Sequence, residues 1–238
     1  MKARRPPPSE MKRAAQILDR LEKAHPEATC ALHHRNPFEL VAATILSAQC
    51  TDERVNMVTP ALFRRYPTPA ALARAVPAEL EEIIRSTGFF RAKAKSLMGC
   101  ARALVETHGG DVPRELQALV KLPGIGRKTA NVVLGHAYDI AEGVVVDTHV
   151  LRVSNRLGIA RGDDPIRVEQ QLMALVPSSR WTRMSDLLIF HGRKICEARR
   201  PQCGQCPVFD LCRWKQRQAF AMGTPPRRKA AAPRRARA

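Results

Sequence analysis

Apolar residues recur at helical spacing along almost the whole chain. Residues 10–24 set Ala14, Ile17, Leu18 and Leu21 on one face, and Pro26 closes the run. Residues 38–48 offer Phe38, Val41, Ile45 and Leu46, and residues 53–65 offer Val55, Val58, Leu62 and Phe63 with a kink expected at Pro60. Pro69 and Pro77 stand where first-turn prolines belong, ahead of helices predicted over 70–75 and 78–86. Residues 91–108 carry Ala94, Leu97, Met98, Ala101, Leu104 and Val105 and stop at Gly109-Gly110. The same pattern predicts helices over 113–120, 127–137, 149–157, 165–176 and 181–191. Val144-Val145-Val146 is the only β-branched run, too short to found a sheet. The pattern defines an all-α class with about ten helices and no internal repeat.

Composition narrows the partners. Hydrophobic residues make up 45% of the 238, enough to bury a core, and the formal net charge is +18. That balance points to a polyanion, of which nucleic acid is the commonest. Residues 1–13 hold five basic groups and one acid, and residues 223–238 hold six basic groups and none acidic. Between those ends 29 basic residues face 21 acidic ones, so the body is basic by itself. The Pro/Ala/Arg stretch 223–238 lacks the apolar residues to build a core and is expected to be a disordered basic tail, a solubilising end or a phosphate tether. No apolar run reaches the roughly 18 residues of a membrane span. Met1 to Pro8 holds no apolar stretch of a secretion signal, and three consecutive prolines oppose a transit helix, so a cytoplasmic chain is expected.

Two places then stand out. Leu122-Pro123-Gly124-Ile125-Gly126 separates two predicted helices. Pro-Gly stops a helix, Gly126 is free to adopt a backbone closed to other residues, and Gly124, Ile125 and Gly126 offer N–H groups at the next helix start. Such a start attracts phosphate through free donors and the macrodipole, although an ordinary helix–turn–helix corner has the same pattern. Lys128 follows in the first turn, where a cation opposes the dipole at a cost of a few tenths of a kcal/mol. It reads as an exposed lysine, or as an amine whose charged form is disfavoured by the helix end, by Arg127 and by partial burial, and which is therefore the better nucleophile. Asp147, in Val146-Asp147-Thr148-His149, reads as a helix N-cap or as a carboxylate at a cleft mouth.

Four of the seven cysteines, Cys196, Cys203, Cys206 and Cys212, fall close together as Cys-x6-Cys-x2-Cys-x5-Cys. Without a secretion signal, metal is the expected partner, either one zinc ion or one [4Fe–4S] cluster. Arg193, Lys194, Arg199, Arg200, Arg213 and Lys215 surround the four and are expected to offset thiolate charge and to leave a basic loop for DNA phosphates. Cys30, Cys50 and Cys100 lack such spacing and read as small buried or incidental thiols.

Taken together, these blocks resemble the endonuclease III family, the bacterial DNA glycosylases and abasic-site lyases of the helix–hairpin–helix superfamily. Leu46-Ser47-Ala48-Gln49, Leu122 to Asn131, Val146-Asp147-Thr148-His149 and His191-Gly192-Arg193 leading into the cysteines carry the likeness, which spans roughly residues 10–217. It implies two helical domains with DNA across the cleft between them: a six-helix barrel over 29–141, and a second domain joining 1–28 to 142–222 around a [4Fe–4S] cluster held by Cys196, Cys203, Cys206 and Cys212. It assigns Lys128 as nucleophile and Asp147 as catalytic carboxylate. Gln49 fills the gap left by an extruded base, and Phe89 takes the place of an apolar wedge that is usually leucine. Gly124, Ile125, Gly126, Arg127, His149, Arg199 and Arg200 join the expected DNA contacts. The implied partner is double-stranded DNA with oxidised pyrimidines or abasic sites, met by a monomer on the bacterial nucleoid. Two other functions stand beside this one. A glycosylase that only removes mispaired adenine lacks the lysine, so Lys128 argues against it; a non-catalytic DNA-binding metal module would bind without cutting.

Overall fold

The computed structural model of the chain describes residues 6–224. The basic ends, 1–5 and 225–238, and with them nearly all of the expected tail, lie outside the described residues. Among those described, regular structure is helical throughout: α1 Pro8–Ala24, α2 Pro37–Leu46, α3 Asp52–Arg65, α4 Pro69–Ala73, α5 Pro77–Ile84, α6 Phe90–His108, α7 Leu116–Leu119, α8 Arg127–Ala137, α9 Thr148–Leu157, α10 Pro165–Met173, α11 Trp181–Lys194 and α12 Arg217–Ala221.

Local chemistry explains most boundaries. Asn36, Thr51, Thr68, Asp147 and Asp164 cap α2, α3, α4, α9 and α10 with their side chains, and proline opens α1, α2, α4, α5 and α10. Gly109, in the left-handed region, ends α6, and the Gly110 N–H donates to the Leu104 carbonyl. Pro60 sits inside α3, which runs on through it. The expected helix over 113–120 shrinks to a single turn, and α10 stops three residues short of the predicted 176. The α12 turn was not expected. The valine run is a connector without regular structure whose Val145 N–H donates to Ser185 Oγ at 2.8 Å, so a tertiary bond takes the place of a sheet partner.

Two separate apolar cores result. One gathers Leu40, Leu46, Leu62, Leu80, Leu97, Leu104 and Leu134 from α2 through α8. The other joins Ile17, Leu18 and Leu21 of α1 to Val144, Val153, Leu172, Leu187 and Val208. The first helix therefore packs with the C-terminal half of the chain. Arg13 locks it there, donating to the carbonyls of Leu157, Gly158 and Leu211 at 2.8–3.0 Å. Among the described residues two ion pairs bridge the cores, Arg127 to Glu169 at 3.2 Å and Arg193 to Asp52 at 2.7 Å, and His136 Nε2 lies 3.2 Å from Asp186 Oδ1 beside them.

Candidate active site

A cavity of about 820 Å³ opens between the two cores. Thr44, Ser47, Gln49 and Asp52 line it from the first core, with Lys128, Thr129, Val132 and His136 along α8; Asp147, Ser185, Asp186, Phe190 and Arg193 close it from the second. Lys128 and Asp147 thus stand in the wall of one cavity.

Their two helices begin differently. The α8 helix starts at Gly126 with no side-chain cap. Asp147 caps α9, its Oδ1 accepting from the N–H groups of His149 and Val150, each at 2.8 Å. Both amide bonds fall on Oδ1, so Oδ2 takes no part in the cap. The cap reading and the cleft reading of Asp147 are compatible: one oxygen holds the helix while the carboxylate lines the cavity. Lys128 is exposed, so the partial burial expected for it is not found in the free protein.

The hairpin also departs from expectation in detail. Gly124, not Gly126, lies in the left-handed region, with φ +81, and a Cβ there would meet Ser96 Cβ at 2.8 Å. Gly126 is extended, with open space around the Cβ position. The Ile125 N–H is spent inside the turn on the Leu122 carbonyl at 3.1 Å, and its side chain is buried in the first core, so it offers no donor to a phosphate. Arg127 turns to Glu169, a buried carboxylate that also accepts from Asn131 Nδ2 at 3.2 Å. A Cβ on Gly143 would collide with that same carboxylate.

The remaining expected contacts are spread along the rim. Gln49 and Phe89 are exposed and both adopt positive φ, 53 and 47, which is strained for a glutamine and more so for a bulky aromatic. His149 is half-buried outside the cavity, its Nδ1 3.1 Å from Arg152 Nη2, and burial lowers its pKa. Arg199 and Arg200 are exposed in the loop after α11. Cys30 lines the cavity as a thiol, burial pushing it up to about 11, and buried Cys100 is pushed up to about 12.

Cys196, Cys203, Cys206 and Cys212 line a second, small cavity, walled by Leu157, Ile195, Phe209 and Trp214. Among the described residues no trio of His, Cys, Asp or Glu is grouped to hold a single metal ion. Four thiols lining one small cavity supply the ligand set that a [4Fe–4S] cluster takes. Among the described residues buried Arg217 Nε, on the same wall, has no hydrogen-bond partner, as expected beside an anionic group. Arg156 of α9 donates to Cys196 Sγ at 3.4 Å and to the carbonyls of Glu197 and Ala198, and stacks 4.2 Å over Trp214. Charge compensation therefore comes from Arg156 and Arg217. Of the neighbours expected to supply it, Arg193 pairs with Asp52 and Arg213 with Glu10.

Sequence reasoning missed the bridging acids Asp52, Glu169 and Asp186, because partners far apart in the chain leave no local pattern. His136 had a signal: spacing of four along α8 sets Lys128, Val132 and His136 on one face.

Two helical cores with a cavity between them, a hairpin at the edge of the first core and a cysteine-lined cavity in the second define a class. Residues 42–178 match the HhH-GPD superfamily of base excision DNA repair proteins, and residues 196–212 match the iron-sulfur binding domain of endonuclease III. The chain is 54% identical over 204 residues to the endonuclease III of Synechocystis sp., a match covering 86% of this chain and 93% of that protein. A non-covalent endonuclease III–DNA complex and a trapped endonuclease III–DNA covalent intermediate each superpose with TM-score 0.81 and 46% identity, over 85% of this chain and 95% of theirs. The chain belongs to the endonuclease III family. It is a base excision DNA repair enzyme, a DNA glycosylase with abasic-site lyase activity, and it carries a [4Fe–4S] cluster.

Proposed function

We propose that the enzyme excises oxidised pyrimidines from double-stranded DNA and cuts the strand at the resulting abasic site, with Lys128 as nucleophile and Asp147 as its carboxylate partner. What carries this reading is that one cavity is lined by Lys128 from a bare helix start and by Asp147 from a capped one. A base inside a duplex is out of reach, so the damaged nucleotide is extruded into the cavity. Gln49 and Phe89, exposed on strained turns, fill the vacated stack. The hairpin at Gly124 and Gly126, Arg127, His149, Arg199 and Arg200 face the DNA backbone. Ile125 holds the hairpin to the core from beneath.

Cleavage of the N-glycosidic bond builds positive charge on the sugar, which the Asp147 carboxylate stabilises. The uncharged Lys128 amine bonds to the anomeric carbon as the base leaves with the bond pair and takes up a proton. Ring opening gives a protonated imine. Loss of a proton from the neighbouring carbon then expels the 3′ phosphate, and water releases the lysine. Cys196, Cys203, Cys206 and Cys212 would hold the cluster, which when bound ties the 196–212 loop into one rigid unit. The two apolar cores support a barrel domain over 29–141 and a cluster domain of 1–28 with 142–222. One chain supplies both walls of the cavity, which supports action as a monomer, and a net charge of +18 supports a place on the bacterial chromosome in the cytoplasm.

The test is borohydride trapping on a thymine-glycol duplex. The parent enzyme forms a covalent adduct, and Lys128→Ala loses it with a fall in strand cleavage of at least about a thousandfold. Undiminished trapping in Lys128→Ala rejects the lysine, and an adduct with abasic but not thymine-glycol DNA rejects the substrate.

A further inference from the structure

Lys93 is a buried lysine that the reaction does not use. It is 5% exposed, on the first turn of α6, and none of the ion pairs among the described residues includes it. Burial lowers its pKa, with Cys50 nearby opposing the shift. Its Nζ donates to two carbonyls, Leu46 O and Thr87 O, each at 2.8 Å. Leu46 is the last residue of α2, and Thr87 ends the short turn Arg85–Thr87. Both carbonyls belong to helix ends, where outward oxygens lack intrahelical donors and a cation is favoured. Gln49 lies three residues past Leu46, and Phe89 two residues past Thr87. The Lys93 backbone N–H also donates to the Phe89 carbonyl, at 3.1 Å. One residue therefore clamps the roots of both strained turns. A hydrophobic residue there would leave two buried carbonyls without a donor, and the turns without a common anchor.

We propose that Lys93 is a positioning residue for strand penetration: its ammonium, bonded to Leu46 O and Thr87 O, fixes the separation and aim of Gln49 and Phe89 so that both enter the duplex as one unit when the nucleotide is extruded. The inference rests on the reading of Gln49 and Phe89 as the residues that fill the stack. An exposed glutamine and an exposed phenylalanine on independent turns would each have to find its own place in the helix. A shared anchor removes that ordering cost before DNA arrives.

The assay compares β-elimination on one abasic oligonucleotide in two forms, duplex and single-stranded, using the full-length enzyme with its cluster loaded. A single strand needs no extrusion and no stack filling, so it reports the chemistry alone. Lys93→Met keeps the length of the side chain and removes the donors. It is expected to lower kcat/KM on the duplex about tenfold while changing the single-strand value less than about twofold. Lys93→Arg, which keeps charge and donors, is expected to retain most of the duplex preference. Where Lys93→Met gives no cluster-loaded protein, Lys93→Gln is read in the same ratio. An unchanged ratio, or an equal fall on both substrates, overturns the proposal, the second outcome meaning general damage to the fold. Gln49→Ala and Phe89→Ala in the same assay separate the two layers. If they lower the ratio and Lys93→Met does not, the anchor fails alone; if neither lowers it, the stack-filling reading fails and the proposal with it.

Discussion

The starts of α8 and α9 are the same kind of element put to opposite uses. Each is the positive end of a helix dipole beside the same cavity. At α9 the protein supplies its own anion, and Asp147 Oδ1 satisfies two amides. At α8 Gly126 leaves the first turn without a side-chain cap, and Lys128 adds a cation where the dipole disfavours one. A start capped from within is stable and closed to outside anions. A start left bare forgoes that stability and is open to a phosphate. The comparison teaches that absence of a local stabilising feature is itself informative when an equivalent element nearby has it.

The largest effect is expected from separating the helix cap that Asp147 makes from the catalytic role proposed for it. Serine caps a helix about as well as aspartate but brings no charge. Asp147→Ser should hold thermal stability within about 0.5 kcal/mol of the parent, while single-turnover base excision falls by on the order of a hundredfold or more. A large loss of melting temperature together with unchanged turnover would reduce Asp147 to a cap. Next comes the reverse exchange. Gly126 has open space at its Cβ position, so Gly126→Asp can give α8 the cap it lacks. The variant should gain about 0.5 kcal/mol in thermal unfolding, and should bind an abasic-analogue duplex about tenfold more weakly by fluorescence anisotropy at moderate salt. Equal or tighter binding would remove α8 from the phosphate site.

The smallest effect belongs to a third helix start. Glu10 lies in the first turn of α1, where the Arg13 guanidinium, helped by Arg213, holds its carboxyl below the usual carboxylate value. A depressed folded pKa contributes stability that is present above the ordinary value and fades as pH falls through the folded one. Glu10→Gln should therefore melt lower than the parent near neutral pH by at most about 1 kcal/mol. The gap should close in acid, as followed by thermal unfolding across the pH range. A gap that widened in acid would contradict the assigned pairing.

Much of this was legible from residues alone, for local reasons. Helical spacing, capping residues and first-turn prolines placed most of the long helices, because the forces that start and stop a helix act within a few positions. The Pro-Gly break and the four cysteines stood out for the same reason. Errors arose where a local rule had two solutions. Either glycine of the hairpin could have taken the left-handed turn, and packing of Gly124 against Ser96 shows which one did. Helix 113–120 shortened to one turn, and α12 formed where periodicity gave no signal. Lys93 reads in sequence as one more basic residue; only the fold shows its ammonium buried between two chain segments.

By itself the amino-acid order determined the helical class, most of the helix boundaries and the grouping of the thiols, since each depends on neighbours along the chain, while it left Asp147 open between a cap and a cleft carboxylate. Tertiary structure alone decided that Arg127 meets Glu169 while Arg156 meets the thiols; that α1 packs with the C-terminal half and that Lys128 and Asp147 share one cavity was implied by the family resemblance, not by any local pattern of residues. Those outcomes depend on which charges and apolar faces come together when two cores close, and sequence separation carries no record of that distance.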